Sequence, residues 1–238
     1  MSRNIVIIGA SGTIGTALVK IYKENFENNV FAFSRGYKNK HVSNLIMDHI
    51  NILDEVSIEN IVTKYFKEKT IDILIIATGL LHNDLFFPEK SIREISFEKF
   101  QTLFSINAIA PALIFKHFSK TISREKKTIL AAFSARVGSI SDNKIGGWHS
   151  YRASKSALNM IIKNFSIELG RKYKKSIIVG LHPGTVDSKL SKPFQKNVSN
   201  EKLFTGEYSA LKITKVLEDL SMNESGKCFD FNALEVYP

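Results

Sequence analysis

A single cysteine, a single tryptophan and five prolines are spread over 238 residues. The lone thiol, Cys228, excludes an intrachain disulfide framework and any cluster of cysteines holding a metal. His, Asp and Glu do not gather at metal-ligand spacing either, so no metal is expected. Thirteen glycines and five prolines are too few for collagen-like or low-complexity sequence. No apolar stretch approaches the ~20 residues that cross a bilayer. The first apolar run, Ile5–Ile8, is too short for the hydrophobic part of a secretory signal. Acidic residues are scarce too: 23 Asp and Glu face 33 Lys and Arg, a net charge of +10. Lysine carries the excess, 26 against 7 arginines. The densest group, Arg171 to Lys175, falls where a helix is expected to end, and cations there complement the helix dipole. Scattered lysine predicts a solvated surface, not a nucleic-acid face. A soluble cytoplasmic protein with neither nucleic-acid nor membrane partners is the expectation. What is abundant is apolar: 44% hydrophobic and 24% charged residues are globular proportions for one domain over residues 1–238.

Short apolar runs alternate with helical spacing. Strands are expected at Ile5–Ile8, Val30–Phe33, Leu45–Met47, Ile71–Ile76, Thr128–Phe133, Ile177–Leu181 and Lys227–Phe231. Between them, apolar residues recur at helical intervals over Ile14–Tyr22, Val56–Phe66, Phe97–Phe118, Ser150–Leu169 and Tyr208–Leu220. Such alternation predicts an α/β fold: a doubly wound parallel sheet of about seven strands with helices on both faces. The segment 187–206 has no clear periodicity and is expected to be a flap over a substrate site.

The first strand runs into Gly9-Ala10-Ser11-Gly12-Thr13-Ile14-Gly15 and then a helix. Glycines there let the backbone turn tightly and approach a pyrophosphate, and the helix N-terminus offers N–H groups to it. A plain capping turn is the alternative. About 20 residues on, a site for an unphosphorylated ribose would place a carboxylate. Here the second strand ends in Phe33-Ser34-Arg35, with no Asp or Glu between Glu27 and Asp48. Arg35 is suited to a 2′-phosphate, which favours NADP(H) over NAD(H). A solvated arginine at a strand end is the competing account. On the long helix after the fifth strand, Tyr151 and Lys155 stand at i and i+4, on one face. An ammonium beside a phenol lowers its pKa from ~10 and suits it to proton transfer with a carbonyl or alcohol.

In its ordered motifs the chain resembles the short-chain dehydrogenase/reductase family over essentially its whole length. The carrying residues are Gly9/Gly12/Gly15, Ala77-Thr78-Gly79, Asn107, Ser134, Tyr151/Lys155 and Pro183-Gly184-Thr185-Val186-Asp187-Ser188. The run from Ser134 through Lys155, His182-Pro183-Gly184 and the ending Cys228-Phe229-Asp230-Phe231 resemble the branch of C-factor-like signalling proteins and sniffer-type carbonyl reductases. The resemblance implies a single Rossmann domain and a homodimer or homotetramer. It implies hydride transfer between a nicotinamide and a small carbonyl or alcohol, with Tyr151 as general acid/base. Lys155 would hold the nicotinamide ribose, and Asn107 a water in a proton relay. Ser11, Thr13, Ile14, Ser34, Ala77, Thr78 and Gly79 would lie along the nucleotide. Asp48 would meet the adenine edge, and Pro183, Gly184, Val186 and Ser188 the carboxamide and phosphates.

Two departures bear on this. Thr13 stands where the family's turn usually has glycine, although Gly12 fits the alternative spacing. The serine slot that orients a substrate carbonyl reads Ala135, so Ser134 or Ser139 supplies the hydroxyl, or neither does. That motivates an alternative function, a nucleotide-binding signalling or regulatory protein with little turnover. Trp148, His149 and Phe194 are candidates for the substrate side, against a core cap for Trp148, a helix-start position for His149 and loop packing for Phe194, with Phe86 and Phe87 on loops beside them. His182 is expected to be structural and Cys228 a buried thiol.

Overall fold

The computed structural model describes residues 2–238. In chain order the elements are β1 (Asn4–Ile8), α1 (Thr13–Glu24), β2 (Asn29–Ser34), β3 (Lys40–Val42), β4 (Leu45–His49), α2 (Glu55–Phe66) and β5 (Ile73–Ile76). There follow α3 (Phe97–Phe104), α4 (Ala110–Phe118), β6 (Thr128–Phe133), α5 (His149–Lys172), β7 (Ser176–His182), β8 (Thr185–Val186), β9 (Leu203–Phe204), α6 (Gly206–Asp219) and β10 (Cys228–Asp230). Eight strands form one sheet in the order β10-β7-β6-β5-β1-β2-β4-β3. Seven are parallel; β3 adds antiparallel to β4 at the edge.

The central strands β1, β2, β5, β6 and β7 are buried on both faces, which is why they read as nearly continuous apolar runs. In β1 alternate residues serve opposite cores. Ile5 and Ile7 pack with Leu18, Val19 and Tyr22 of α1 and Ile213 and Leu217 of α6. Val6 and Ile8 pack with Ile58 and Phe66 of α2, Phe115 and Phe118 of α4 and Leu158 and Ile162 of α5. Several helices start on side-chain caps: Asp54 accepts from the Val56 N–H at 3.0 Å, and Thr205 from that of Tyr208 at 3.1 Å.

The sheet has eight strands where about seven are expected, and three details of the elements differ from the sequence reading. The two-residue turn at Ser43 and Asn44, with Ser43 at φ 55°, folds β3 back onto β4. Ile71 stands outside β5 and bridges only to Ile122. The helix expected over Phe97–Phe118 is interrupted by one wide turn, Ser105–Ile109. Such insertions often mark functional sites, and this one contains Asn107. The segment 187–206 is not irregular throughout. β8 and β9 pair at its base, and the Asp187 N–H donates to the Phe204 carbonyl at 2.8 Å. Within it Ser191 Oγ donates to the Val186 carbonyl and accepts from Gln195 Nε2 at 2.8 Å. No helix among the described residues is long and apolar enough to cross a membrane.

Candidate active site

Because the strands are parallel, their carboxyl ends share one rim, where ligands bind in open α/β sheets. A cleft of about 920 Å³ lies there. The glycine turn forms one wall. Gly9 has φ +85°, and a Cβ on it would come within 2.9 Å of the Ala77 carbonyl; one on Gly15 would lie 2.2 Å from the Gly9 carbonyl oxygen. These two glycines therefore pack the turn against β5 and α1 without lining the cleft. Ser11, Gly12, Thr13 and Ile14 do line it. Among the described residues no side chain caps α1, and its first turn has no acidic residue, so its positive end is left without a carboxylate of its own. Arg35 is exposed and lines the same end. Ser34 lies buried behind it, with its hydroxyl 2.5 Å from that of Ser11. Ala77, Thr78 and Gly79 line the floor, and Thr78 Oγ1 is buried with no hydrogen-bond partner among the described residues. No Asp or Glu lines the cleft among the described residues, whereas Arg35, Arg136, Lys155 and Lys189 do. An orphaned hydroxyl, an uncapped helix start and an acid-free cationic lining fit an elongated anionic nucleotide.

Asp48 is not brought to this cleft. Burial pushes its carboxyl pKa up, but hydrogen bonds outweigh that and hold it well below the usual range. Lys64 Nζ and Tyr65 Oη donate at 2.7 Å, Asn39 Nδ2 at 3.1 Å and the His49 N–H at 2.8 Å. Its acceptor capacity is spent on α2 and the loop before β3.

The floor continues into α5. Tyr151 and Lys155 share one face of the helix and both line the cleft, with Lys155 Nζ 5.8 Å from the centre of the Tyr151 ring. Lys155 Nζ donates to the Phe133 carbonyl at 2.7 Å. Burial pushes the Tyr151 phenol above its ordinary value and pulls the Lys155 amine down to about 7. The expected depression of the phenol is therefore not found in the protein alone. The amine faces a backbone carbonyl, and loss of hydration governs both groups. Asn107 is buried in the wide turn. It accepts from the Leu80 N–H and donates to the Leu80 carbonyl, both at 2.8 Å, and donates to Ser154 Oγ at 3.1 Å. It does not line the cleft itself. A Cβ on Gly79 would lie 3.6 Å from Lys155 Nζ and 3.7 Å from Asn107 Oδ1, so both groups border that glycine.

The structure separates the two serines. Ser134 lines the cleft and donates to Asn159 Oδ1 at 2.6 Å. Ser139 is buried, does not line the cleft and accepts from the Asp142 N–H at 3.1 Å, a contact that holds the loop after β6. Ala135, Val137, Trp148, Leu190 and Phe194 pack around Leu81, Leu103 and Tyr151 as an apolar wall. Trp148 meets the Tyr151 ring edge-on at 6.1 Å and Phe194 at 5.0 Å. His149 begins α5 but does not line the cleft. Pro183, Gly184, Val186 and Ser188 line its far side.

Two histidines lie on this rim in places that their sequence context does not announce. His82 Nε2 lies 3.2 and 3.1 Å from the carbonyls of Lys189 and Leu190, and its ring stacks on Phe87 at 5.5 Å. It ties the loop after β5 to the segment after β8, and no spacing in the sequence signals it. His182 lines the cleft rather than serving packing alone; its Nδ1 is buried without a partner, and burial pulls its pKa down to about 4.

Residues 3–199 match the family described as short chain dehydrogenase. The C-signal of Myxococcus xanthus is 26% identical over 146 residues, covering 61% of this chain and 82% of that one. An uncharacterized oxidoreductase of Saccharomyces cerevisiae is 28% identical over 250 residues, covering 96% of this chain and 95% of its own. Among solved structures, the carbonyl reductase Sniffer of D. melanogaster superposes with a TM-score of 0.86 at 19% identity, over 100% of both chains. An NADPH-bound carbonyl reductase from chicken fatty liver gives 0.84 at 24% identity, over 100% of this chain and 99% of that one.

Proposed function

The chain belongs to the short chain dehydrogenase family of oxidoreductases, and from that premise we propose that it is an NADP(H)-dependent carbonyl reductase with Tyr151 as its proton donor. The observation that carries this is a phenol and an amine on one face of α5, inside an acid-free cleft that begins at an uncapped helix start. The nicotinamide coenzyme, when bound, supplies the hydride. Ser11 to Ile14 and Arg35 would hold its adenosine half, Arg35 meeting a 2′-phosphate with its planar guanidinium. Thr78 would offer its orphaned hydroxyl, and Pro183, Gly184, Val186 and Ser188 the opposite wall. Tyr151 Oη gives its proton to the substrate oxygen. Lys155, its amine pulled down to about 7 by burial, would hold a ribose hydroxyl of that coenzyme and return a proton to the phenol. The apolar wall around Trp148 and Phe194 excludes water from the carbonyl. Reduction is the direction that matches NADPH as donor.

The test is NADPH oxidation with a panel of aldehydes, ketones and quinones. Tyr151→Phe is expected to lower kcat by about 10²–10⁴-fold while NADP⁺ still binds. Arg35→Ser is expected to raise the KM for NADPH at least about tenfold and leave that for NADH nearly unchanged. Full activity in Tyr151→Phe would overturn the donor assignment, and equal effects on both coenzymes would overturn the role of Arg35. A second reading has specific support: Ala135 in the serine slot and the likeness to a signalling protein favour a nucleotide-bound regulator with little turnover. Tight NADPH binding without turnover of any carbonyl in the panel would select it.

A further inference from the structure

The chemistry described so far leaves unused a carboxylate that is fully buried at 0% exposure, Glu89. It lies in the loop after β5, 61 residues before the residue that it holds. One of its oxygens accepts from Ser150 Oγ at 2.5 Å and the other from the Ser150 N–H at 3.3 Å. Its own backbone carbonyl accepts from the Trp148 N–H at 2.5 Å. The residues so gripped are the N-terminus of the 24-residue α5, which has no side-chain cap at its N-cap residue, Trp148. The approach to that terminus is strained. Gly146, Gly147 and Trp148 have successive φ values of 70°, 66° and 50°, and for a tryptophan this left-handed backbone is unfavourable. A Cβ on Gly147 would come within 3.3 Å of the Glu89 carbonyl oxygen, so the two loops run in close contact.

Burying a carboxylate is costly unless its acceptor sites are filled. Here each oxygen accepts one hydrogen from the residue immediately before Tyr151, at the helix end where an acceptor is favoured. Without this grip, nothing else described at that terminus replaces the missing cap. The first turn of α5, which includes Tyr151, would then be free to fray.

We propose that Glu89 is a positioning residue: by taking both polar hydrogens of Ser150 it locks the first turn of α5 and sets the Tyr151 hydroxyl against the cleft. This rests on Tyr151 being the proton donor. Glu89 touches neither substrate nor coenzyme. It acts through Ser150 and Trp148, and it couples the loop after β5 to the residue that moves the proton.

The experiment pairs kinetics with a readout that needs no turnover. Phenanthrenequinone serves as the carbonyl probe with NADPH, using Glu89→Gln, Ser150→Ala and the double variant. Misplacing a reacting group by about 1 Å costs on the order of 10²-fold, so each single variant is expected to lose kcat on that scale, with the KM for NADPH within about twofold of wild type. The double variant is expected to be no slower than the slower single one, since both remove one interaction. Amide hydrogen exchange of residues 150–153 is expected to quicken in both single variants while that of α1 stays unchanged. Wild-type kcat in Glu89→Gln, multiplicative losses in the double variant, or unchanged exchange at 150–153 would each overturn the proposal. Should Glu89→Gln not fold, Ser150→Ala carries the same measurements. If Tyr151→Phe proves fully active, the donor assignment falls, and the exchange data still decide whether Glu89 holds the helix.

Discussion

Lys155 shows how burial sets the energetics of a single group. Its amine is pulled down to about 7 by lost hydration, against ~10.4 for an unfolded lysine. Between those two values the unfolded chain binds more protons than the folded one, so stability rises with pH across that window. Below it, the folded protein carries the full penalty of a buried charge. Without nucleotide, Lys155→Met is therefore expected to melt higher than wild type at neutral and lower pH, with the gap closing as the pH approaches ~10.4. Thermal melts across that range check it; a gap that stays constant with pH would refute it. Asp48 has the opposite sign. Hydrogen bonds hold its folded pKa below the ordinary value, so its contribution is present above ~3.9 and fades as the pH falls through the folded value. Asp48→Asn is expected to melt lower than wild type at pH 7, modestly, because its Lys64 partner is half-exposed. NADP⁺ affinity should be unchanged. A weakened affinity in isothermal calorimetry would place Asp48 at the adenine after all.

Elements differ in how plainly their residues announce them. The strand-turn-helix at β1 and α1 was legible because its glycines answer a steric demand. A methyl on Gly15 would sit 2.2 Å from the Gly9 carbonyl oxygen. Gly15→Ala is expected to cost about 1–3 kcal/mol through overpacking and to weaken NADP⁺ binding; a melt within a degree of wild type would contradict this. The buried parallel strands were legible as unbroken apolar runs. The interruption between α3 and α4 was not. Only Asn107 marked it, and a helical apolar pattern continues through the wide turn on either side. Its cause lies far off in sequence, in the Leu80 backbone that Asn107 clasps on both sides. The pairing of β8 with β9 was hidden because two-residue strands have no period to detect. Of the candidate site, Tyr151, Lys155 and the glycine turn were readable from spacing. The placement of Ser139 and Asp48 was not, because each depends on where its side chain finds a partner, and nothing in the spacing told that His149 stays off the cleft wall. His82 and Glu89 had no local signature at all.

The folded molecule offers apolar surface that its own core does not use. Met160 and Ile167, two helical turns apart on α5, are exposed, as are Phe97 on α3 and Ile109 in the wide turn. We expect that two copies cover this surface, and that Met160→Asp with Ile167→Asp yields a slower-sedimenting species in analytical ultracentrifugation while the wild type does not dissociate at the same concentration. The strand order has a separate consequence, for synthesis. The earliest strand of this sheet in chain order, β1, lies inside it, and each parallel strand that follows docks on one already translated. β2 joins β1 and β4 joins β2 on one side; β5, β6, β7 and β10 extend the other in turn. A chain emerging from the ribosome can thus grow this sheet outward from β1 as a seed, never waiting for a later parallel strand to be threaded between two earlier ones.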